Sequence, residues 1–342
     1  MVTTEAELLQ QRAESGDPGA QMTLAILLDN RGMHQHALNW LRSASEGGYA
    51  EAQYVLGARL LIGRAAPYEP EEGAKWISAA ANQGMPEALS LMSVMATMTL
   101  NWNEAVVFLK DAAARGDVRA QQQVSMLADP RRFDPKQWDA PVEPKWKHKS
   151  PRVGVVENFI PRAFCEWIIE RAKPKLEAAR LKDPTRGAGA HAQHRTNSGA
   201  GFGLLDTDLV MQMVNGRVAD LIESPIQNHE PTNVLNYQKG EEYKPHFDFI
   251  TASDANAAEL NTTGQRVTTV LIYLNDDYDG GETHFPNLNW KFKGKTGDAL
   301  VFWNIGENGE PDRKTLHAGL PVKKGEKWLY SKWVRANPYP LL

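Results

Sequence analysis

In the run YKPHFDF, residues 243–249, a histidine and an aspartate stand two positions apart, His246 and Asp248. On a strand, alternate residues share a face, so these two point the same way while Phe247 points opposite. The pattern alone recurs by chance in chains of this length and needs a third ligand. One is offered by His317 in TLHAGLPV, 69 residues after Asp248 and just past the β-patterned run DALVFWN. Two imidazoles and one carboxylate on one face of an octahedron leave three positions open, a donor set that suits non-haem Fe(II) with a bidentate co-substrate and dioxygen. Lys327, ten residues after His317, opens KWLYSKWV, and strand parity puts Lys327, Leu329, Ser331 and Trp333 on one face. In a dry barrel such a lysine pairs with the far end of a dicarboxylate; at the start of a strand it can equally snorkel to solvent.

The elements that must position these residues begin near 152. Two helical runs, ENFIPRAFCEWIIERAKPKLEAARL and DLVMQMVNGRVADLIES, precede short β-patterned runs separated by Gly, Asp and Asn turns. Those runs include TNVLNYQ, TTVLIYLN, ETHFP, DALVFWN and KWLYSKWV, and together they predict helices followed by a strand-rich barrel or sandwich. The first third of the chain reads differently. Gly16-x-x-x-Ala20 recurs as Gly48-x-x-x-Ala52, Gly84-x-x-x-Ala88 and Gly116-x-x-x-Ala120, at spacings of 32, 36 and 32 residues. Trp40, Trp76 and Phe108 hold a fixed place ahead of the later glycines. The module is helix, Gly-turn, helix: glycine accepts the left-handed end of one helix, and alanine lets the next pack closely. Such units bury their faces by stacking. Between the two regions, prolines at 130, 135, 141, 144 and 151 forbid a continuing helix and predict a linker over 129–151.

At 342 residues the chain fits two domains, and 42% hydrophobic with 23% charged residues are ordinary globular values. A net charge of -4 without a long basic run gives no electrostatic support to a nucleic-acid partner. Lys145-Trp146-Lys147-His148-Lys149 reads as a solvated linker face. No segment has the pattern of a leader or a membrane span, and the lone Cys165 suits a reducing compartment, so a cytoplasmic location is expected. Cys165 lies in an amphipathic run, as a buried hydrophobe rather than a nucleophile. His34 and His36 have no further ligands nearby, and His284 has the wrong parity to join the candidate site.

Two resemblances extend this reading. WLRSASEGGYAEAQYVLG and AAARGDVRAQ resemble Sel1-like repeats, relatives of tetratricopeptide repeats, over roughly residues 10–128. That implies a concave surface for a peptide or protein partner; a bare bracing role is the alternative. YQKGEEYKPHFDF, RVTTVLIYLNDDYDGGETHFPN, GDALVFWN and TLHAGLPVKKGEKWLYSKWV in order resemble the prolyl 4-hydroxylase family of 2-oxoglutarate-dependent dioxygenases, over roughly residues 152–337. The expected architecture is therefore α+β: a helical repeat solenoid over 1–128, the linker, and a double-stranded β-helix (jelly-roll) domain with flanking helices over 152–342.

The second resemblance implies that His246, Asp248 and His317 bind iron, that Lys327 pairs with the distal carboxylate of 2-oxoglutarate, and that Tyr237 and Thr283 hydrogen-bond the same co-substrate. It also implies that Tyr243, Arg266 and Trp333 line the substrate pocket. Fe(II), 2-oxoglutarate and O2 are the expected cofactors, with ascorbate a further reductant, and the expected partner is a proline-containing protein or peptide. RTNSGAGF, with His191 and His194 just before it, reads as a lid loop, and TASDANAAELNTTGQ as the opposite wall of the cleft. Two other functions remain open: hydroxylation of a free amino acid or metabolite, and a non-catalytic repeat adaptor whose barrel senses ligand. A nucleic-acid demethylase is disfavoured because those relatives carry arginine where Lys327 stands.

Overall fold

The computed structural model describes residues 4–178, 195–253 and 256–339. Contacts divide the described chain into two units, one holding residues up to Ser125 with Leu204–Gln212, the other Met126–Gly203 and the residues from Met213 onward.

The first unit is built from antiparallel helix pairs: Glu5–Glu14 with Pro18–Asn30, His34–Glu46 with Ala50–Ile62, Pro70–Asn82 with Pro86–Met98, and Trp102–Ala114 with the helix that starts at Val118. The repeated glycines do what their spacing predicts. Gly16, Gly48, Gly84 and Gly116 have φ of +91°, +83°, +83° and +100°, left-handed values that side chains resist. Each is followed by a residue whose N–H closes onto a carbonyl five positions back, as Tyr49 does on Ala44 at 3.1 Å. The paired alanines, Ala20, Ala52, Ala88 and Ala120, are all buried. One further repeated feature was not anticipated. The glutamine after the alanine reaches back eight residues to a carbonyl of the preceding helix: Gln21 to Ala13, Gln53 to Ser45 and Gln121 to Ala113, at 2.9–3.1 Å.

The second unit contains fourteen strands among the described residues. In chain order they are β1 (Lys145–Lys149), β2 (Arg152–Val156), β3 (Glu177–Ala178), β4 (Ser198–Phe202), β5 (Thr232–Tyr237), β6 (Tyr243–His246) and β7 (Arg266–Tyr273). They continue as β8 (Asp279–Gly280), β9 (Thr283–Phe285), β10 (Trp290–Phe292), β11 (Ala299–Trp303), β12 (His317–Gly319), β13 (Val322–Lys324) and β14 (Lys327–Arg335). An eight-stranded sheet has the order β1-β2-β11-β7-β14-β5-β4-β3; a four-stranded one has β10-β9-β12-β6. All pairings are antiparallel, so the jelly-roll expectation holds. Leu235, Leu271, Phe285, Leu300, Phe302 and Leu329 fill the space between the sheets. Val234, Val270, Ile272 and Tyr330, of opposite parity on the large sheet, are also fully buried, so that sheet is covered on both faces.

Residues 129–151, expected as a linker, carry ordered elements of this unit. Pro135–Trp138 forms a helical turn, and Phe133 and Trp138 pack on Phe164 with ring centroids 5.5 and 5.3 Å away. Lys145–Lys149 is the edge strand β1, paired with β2. Pro135 opens the helical turn, where its missing N–H costs nothing, and the other prolines fall outside these elements, so they limit length without preventing order. RTNSGAGF likewise supplies a strand where a loop was expected: Ser198–Phe202 is β4, paired with β5. His191 and His194 lie outside the described residues.

Candidate metal centre and co-substrate pocket

The small sheet sets the two histidines face to face. His317 on β12 is the cross-strand partner of His246 on β6, and their ring centroids are 4.3 Å apart. Each imidazole turns Nδ1 to a backbone carbonyl two residues before it, His246 to Lys244 at 2.8 Å and His317 to Thr315 at 3.0 Å. That contact fixes both rings and leaves Nε2 as the free nitrogen. Asp248, just past β6, stands between them, with its oxygens 3.6 Å from His246 Nε2 and 3.5 Å from His317 Nε2. The ligand atoms of all three lie within 4.8 Å of one another, and this is the only such cluster among the described residues. Thr269 on β7 donates to Asp248 Oδ2 at 2.8 Å and accepts from Asn304 at 2.9 Å, which orients the carboxylate.

The electrostatics favour a cation. Burial, then the charge of His317, pushes His246 down to about 3, so the lone pair on its Nε2 stays available at neutral pH. Burial acts against an ionised Asp248, but the two imidazoles, Thr269 and Arg266 outweigh it and hold the carboxyl below its ordinary range.

Lys327 does not snorkel. It is 1% exposed, and its Nζ donates to the Gly281 carbonyl at 2.6 Å. It is the cross-strand partner of Tyr237, and the rings of Tyr237 and Tyr273 flank its ammonium at 5.3 and 5.4 Å. Burial pushes the amine down to about 7. Thr283 is buried opposite Gly319, with its hydroxyl 2.8 Å from Tyr273 Oη. The triad, Tyr237, Thr283 and Lys327 line one cavity, shared with Leu329, Ser331 and Trp333 as the parity of β14 predicts. Tyr243, also in its wall, stacks on His246 at 3.5 Å between centroids, and Arg195 lies over the other side of the Tyr243 ring at 4.9 Å.

Arg266 packs behind the cavity, against its lining residue Trp333. It makes a two-pronged ion pair with Glu230, at 2.6 and 2.9 Å, and its guanidinium covers the Trp333 ring at 3.9 Å. Glu230 is held from its other side by Arg335, whose side chain is fully buried and also reaches Glu259 and the Gly264 carbonyl in the 251–265 insertion. Trp333 Nε1 is buried without a hydrogen-bond partner among the described residues.

Residues 232–335 match the 2OG-Fe(II) oxygenase superfamily. Prolyl 4-hydroxylase 1 of Arabidopsis thaliana is 34% identical over 208 residues, covering 57% of this chain and 72% of that protein. The chain belongs to the prolyl 4-hydroxylase family of 2-oxoglutarate/Fe(II) oxygenases. Prolyl 4-hydroxylase 5 of the same plant is 36% identical over 211 residues, covering 56% of this chain and 70% of that protein. A Sel1 repeat protein from Oxalobacter formigenes shares 29% identity, covering 35% of this chain and 97% of that one, at a TM-score of 0.33. The protein is thus a 2-oxoglutarate-dependent dioxygenase of this family, with an array of helix pairs earlier in the chain.

The residues present fit the metal the family requires: two free Nε2 atoms and an ionised carboxylate converge in a buried site, with a buried cation in the same cavity for a dicarboxylate. Sequence reasoning missed Thr269, Asn304 and Tyr273, which orient Asp248 and Thr283, and the Glu230–Arg335 support behind Arg266. Strand parity carried a signal for Thr269 and Tyr273, which share the inward face of β7 with Leu271. His284, by contrast, is the cross-strand partner of Ala318 and takes no part in the cluster. Cys165 is buried, with its thiol pushed up to about 12 by burial, as an inert hydrophobe should be.

Proposed function

We propose that the protein hydroxylates peptidyl proline, with the repeat array recruiting the protein that carries it. His246, Asp248 and His317 hold Fe(II). Lys327 grips the distal carboxylate of 2-oxoglutarate, with Tyr237 and Thr283 beside it. When bound, iron and 2-oxoglutarate would supply the chemistry that divides O2, one oxygen atom entering a C–H bond as C–OH and the other entering 2-oxoglutarate as it becomes succinate and CO2.

The chain's own work is to orient and exclude. Thr269 and the two backbone carbonyls fix the ligand directions before metal arrives. The apolar cavity walls Leu329 and Leu271 keep water from the site. Tyr243 and Trp333 offer an aromatic cleft that suits a proline ring. Arg266, held by Glu230, keeps the Trp333 ring in place.

The observation that carries this reading is the buried Lys327 in the same cavity as the His-Asp-His cluster, since a barrel that only bound a partner would gain nothing from desolvating a lysine there. The names of the relatives support proline as the target. The test is succinate formation with proline-rich peptides and with free proline, followed by mass spectrometry for added oxygen. Peptide-dependent turnover with oxygen on proline is expected. Turnover with free proline alone, or with neither, would overturn the peptidyl assignment.

A further inference from the structure

The Lys-rich run KWKHK is neither a linker nor absorbed by the oxygenase site. It forms β1, the outermost strand of the large sheet, while β10 is the outermost strand of the small one. The two edges adjoin: the His148 ring meets Trp290 at 5.8 Å, edge to face. Residues 145–152 (KWKHKSPR) and 290–295 (WKFKGK) together hold seven Lys or Arg and no Asp or Glu, in a chain of net charge -4.

Three of these cations are engaged. Lys145 pairs with Glu157 at 2.7 Å, Lys293 reaches the Tyr278 carbonyl, and Arg152 stacks over Trp303 and Trp146 at 4.0 and 4.9 Å. Lys147, Lys149, Lys291 and Lys295 are exposed, and their side-chain amines make no hydrogen bond or ion pair among the described residues. Glu157, an exposed acid beside the strip, is held below its ordinary range by the hydrogen bond from Lys145, then by its charge and those of Lys147 and Lys295. The lysines of both edges therefore act on one patch of solvent.

From this we propose that the adjoining edges form a docking surface for an acidic segment of a partner protein. Charge complementarity selects the class. A register shift at Lys147 interrupts β1, so recognition comes from side-chain charge more than from addition of a strand. The aromatic rings are already engaged, Trp146 with Trp303 and Arg152, and Trp290 with His148, Phe285 and Phe292. That leaves few ring faces for stacked bases, which disfavours single-stranded nucleic acid. A short acidic segment also suits a basic patch on an acidic chain: at about 0.15 M salt the Debye length is about 8 Å, so the segment senses the patch while a long polyanion also meets the rest of the surface.

The test uses the full-length protein and a fluorescent twelve-residue Glu/Ser peptide, with a Lys/Glu-balanced peptide and single-stranded DNA of equal charge as comparisons, read by anisotropy. Binding of the acidic peptide is expected to exceed the balanced one and to weaken with salt. The triple variant K147E/K149E/K291E, changed only at exposed positions, should lose at least about tenfold in affinity while 2-oxoglutarate turnover on a short substrate is unchanged. The proposal fails if the acidic peptide binds no better than the balanced one, if the variant binds it equally, or if the DNA binds more tightly than the peptide.

Discussion

In the repeat array, the residues that make the fold recur every 32 to 36 positions and act within a few residues of themselves, as Gln53 does on Ser45. In the double-sheet domain, the residues that make the site come from Glu230 to Arg335 and meet only when both sheets are in place. Glycine turns and buried alanines hold the first together, so no single contact there is worth much. Buried charge holds the second together around its site, so single contacts there are worth a great deal. Mutation should therefore separate the two regions sharply.

The largest effect is expected from His246→Ala, which removes one of three ligands: Fe(II) binding is lost in an equilibrium metal assay and turnover falls by at least about a thousandfold, while far-UV helicity is unchanged. Arg335→Met leaves Glu230 buried with one cation fewer and Glu259 released. It should destabilise the double-sheet domain by about 3–5 kcal/mol in a denaturant titration. A loss below about 1 kcal/mol would show that the network is dispensable. Lys327→Ala should spare iron and weaken 2-oxoglutarate by about 10- to 100-fold, the worth of a charge-assisted pair. Equal loss of both ligands would contradict the assigned role.

A pH series sharpens the same point. Burial lowers the Lys327 amine to about 7 from its usual 10.5, so between those values the empty site lacks a proton that a bound dicarboxylate restores. Binding then takes up a proton, and 2-oxoglutarate affinity should fall by up to about tenfold per pH unit above about 7. The same shift makes the unliganded protein gain stability over this range, because the unfolded lysine holds its proton longer. Isothermal titration in buffers of different ionisation enthalpy measures the proton uptake, and Lys327→Arg should abolish it. The smallest effect belongs to the array: Gln53→Ala should cost about 1 kcal/mol, leaving turnover on a short peptide unaltered.

What was legible in the sequence follows the same division. The array was readable because its signal repeats and its contacts are local. The metal triad was readable because ligand chemistry is restrictive, and Lys327 because parity placed it on the inner face of β14. Parity gives a residue's face and not its neighbour, which is why the Thr269–Asp248 bond across 21 residues and the Arg335–Glu230 pair across 105 stayed hidden. Arg335, the last residue of β14, drew no reading from the sequence. Arg266 was expected beside the substrate; its visible contacts are Glu230 and the cavity-lining Trp333, and the ion pair was not legible from spacing. KWKHK lacks the apolar alternation of a half-buried strand because its edge faces water, so its composition hid its pairing with β2.

The most direct test of the central claim is an anaerobic titration of the purified protein with Fe(II) and then 2-oxoglutarate, watching the visible metal-to-ligand charge-transfer band of a chelated keto acid. The account predicts a band in the wild type that is absent in His246→Ala and needs far more co-substrate in Lys327→Ala. Iron-loaded wild-type protein that gives no band, or a band indifferent to Lys327, would contradict it.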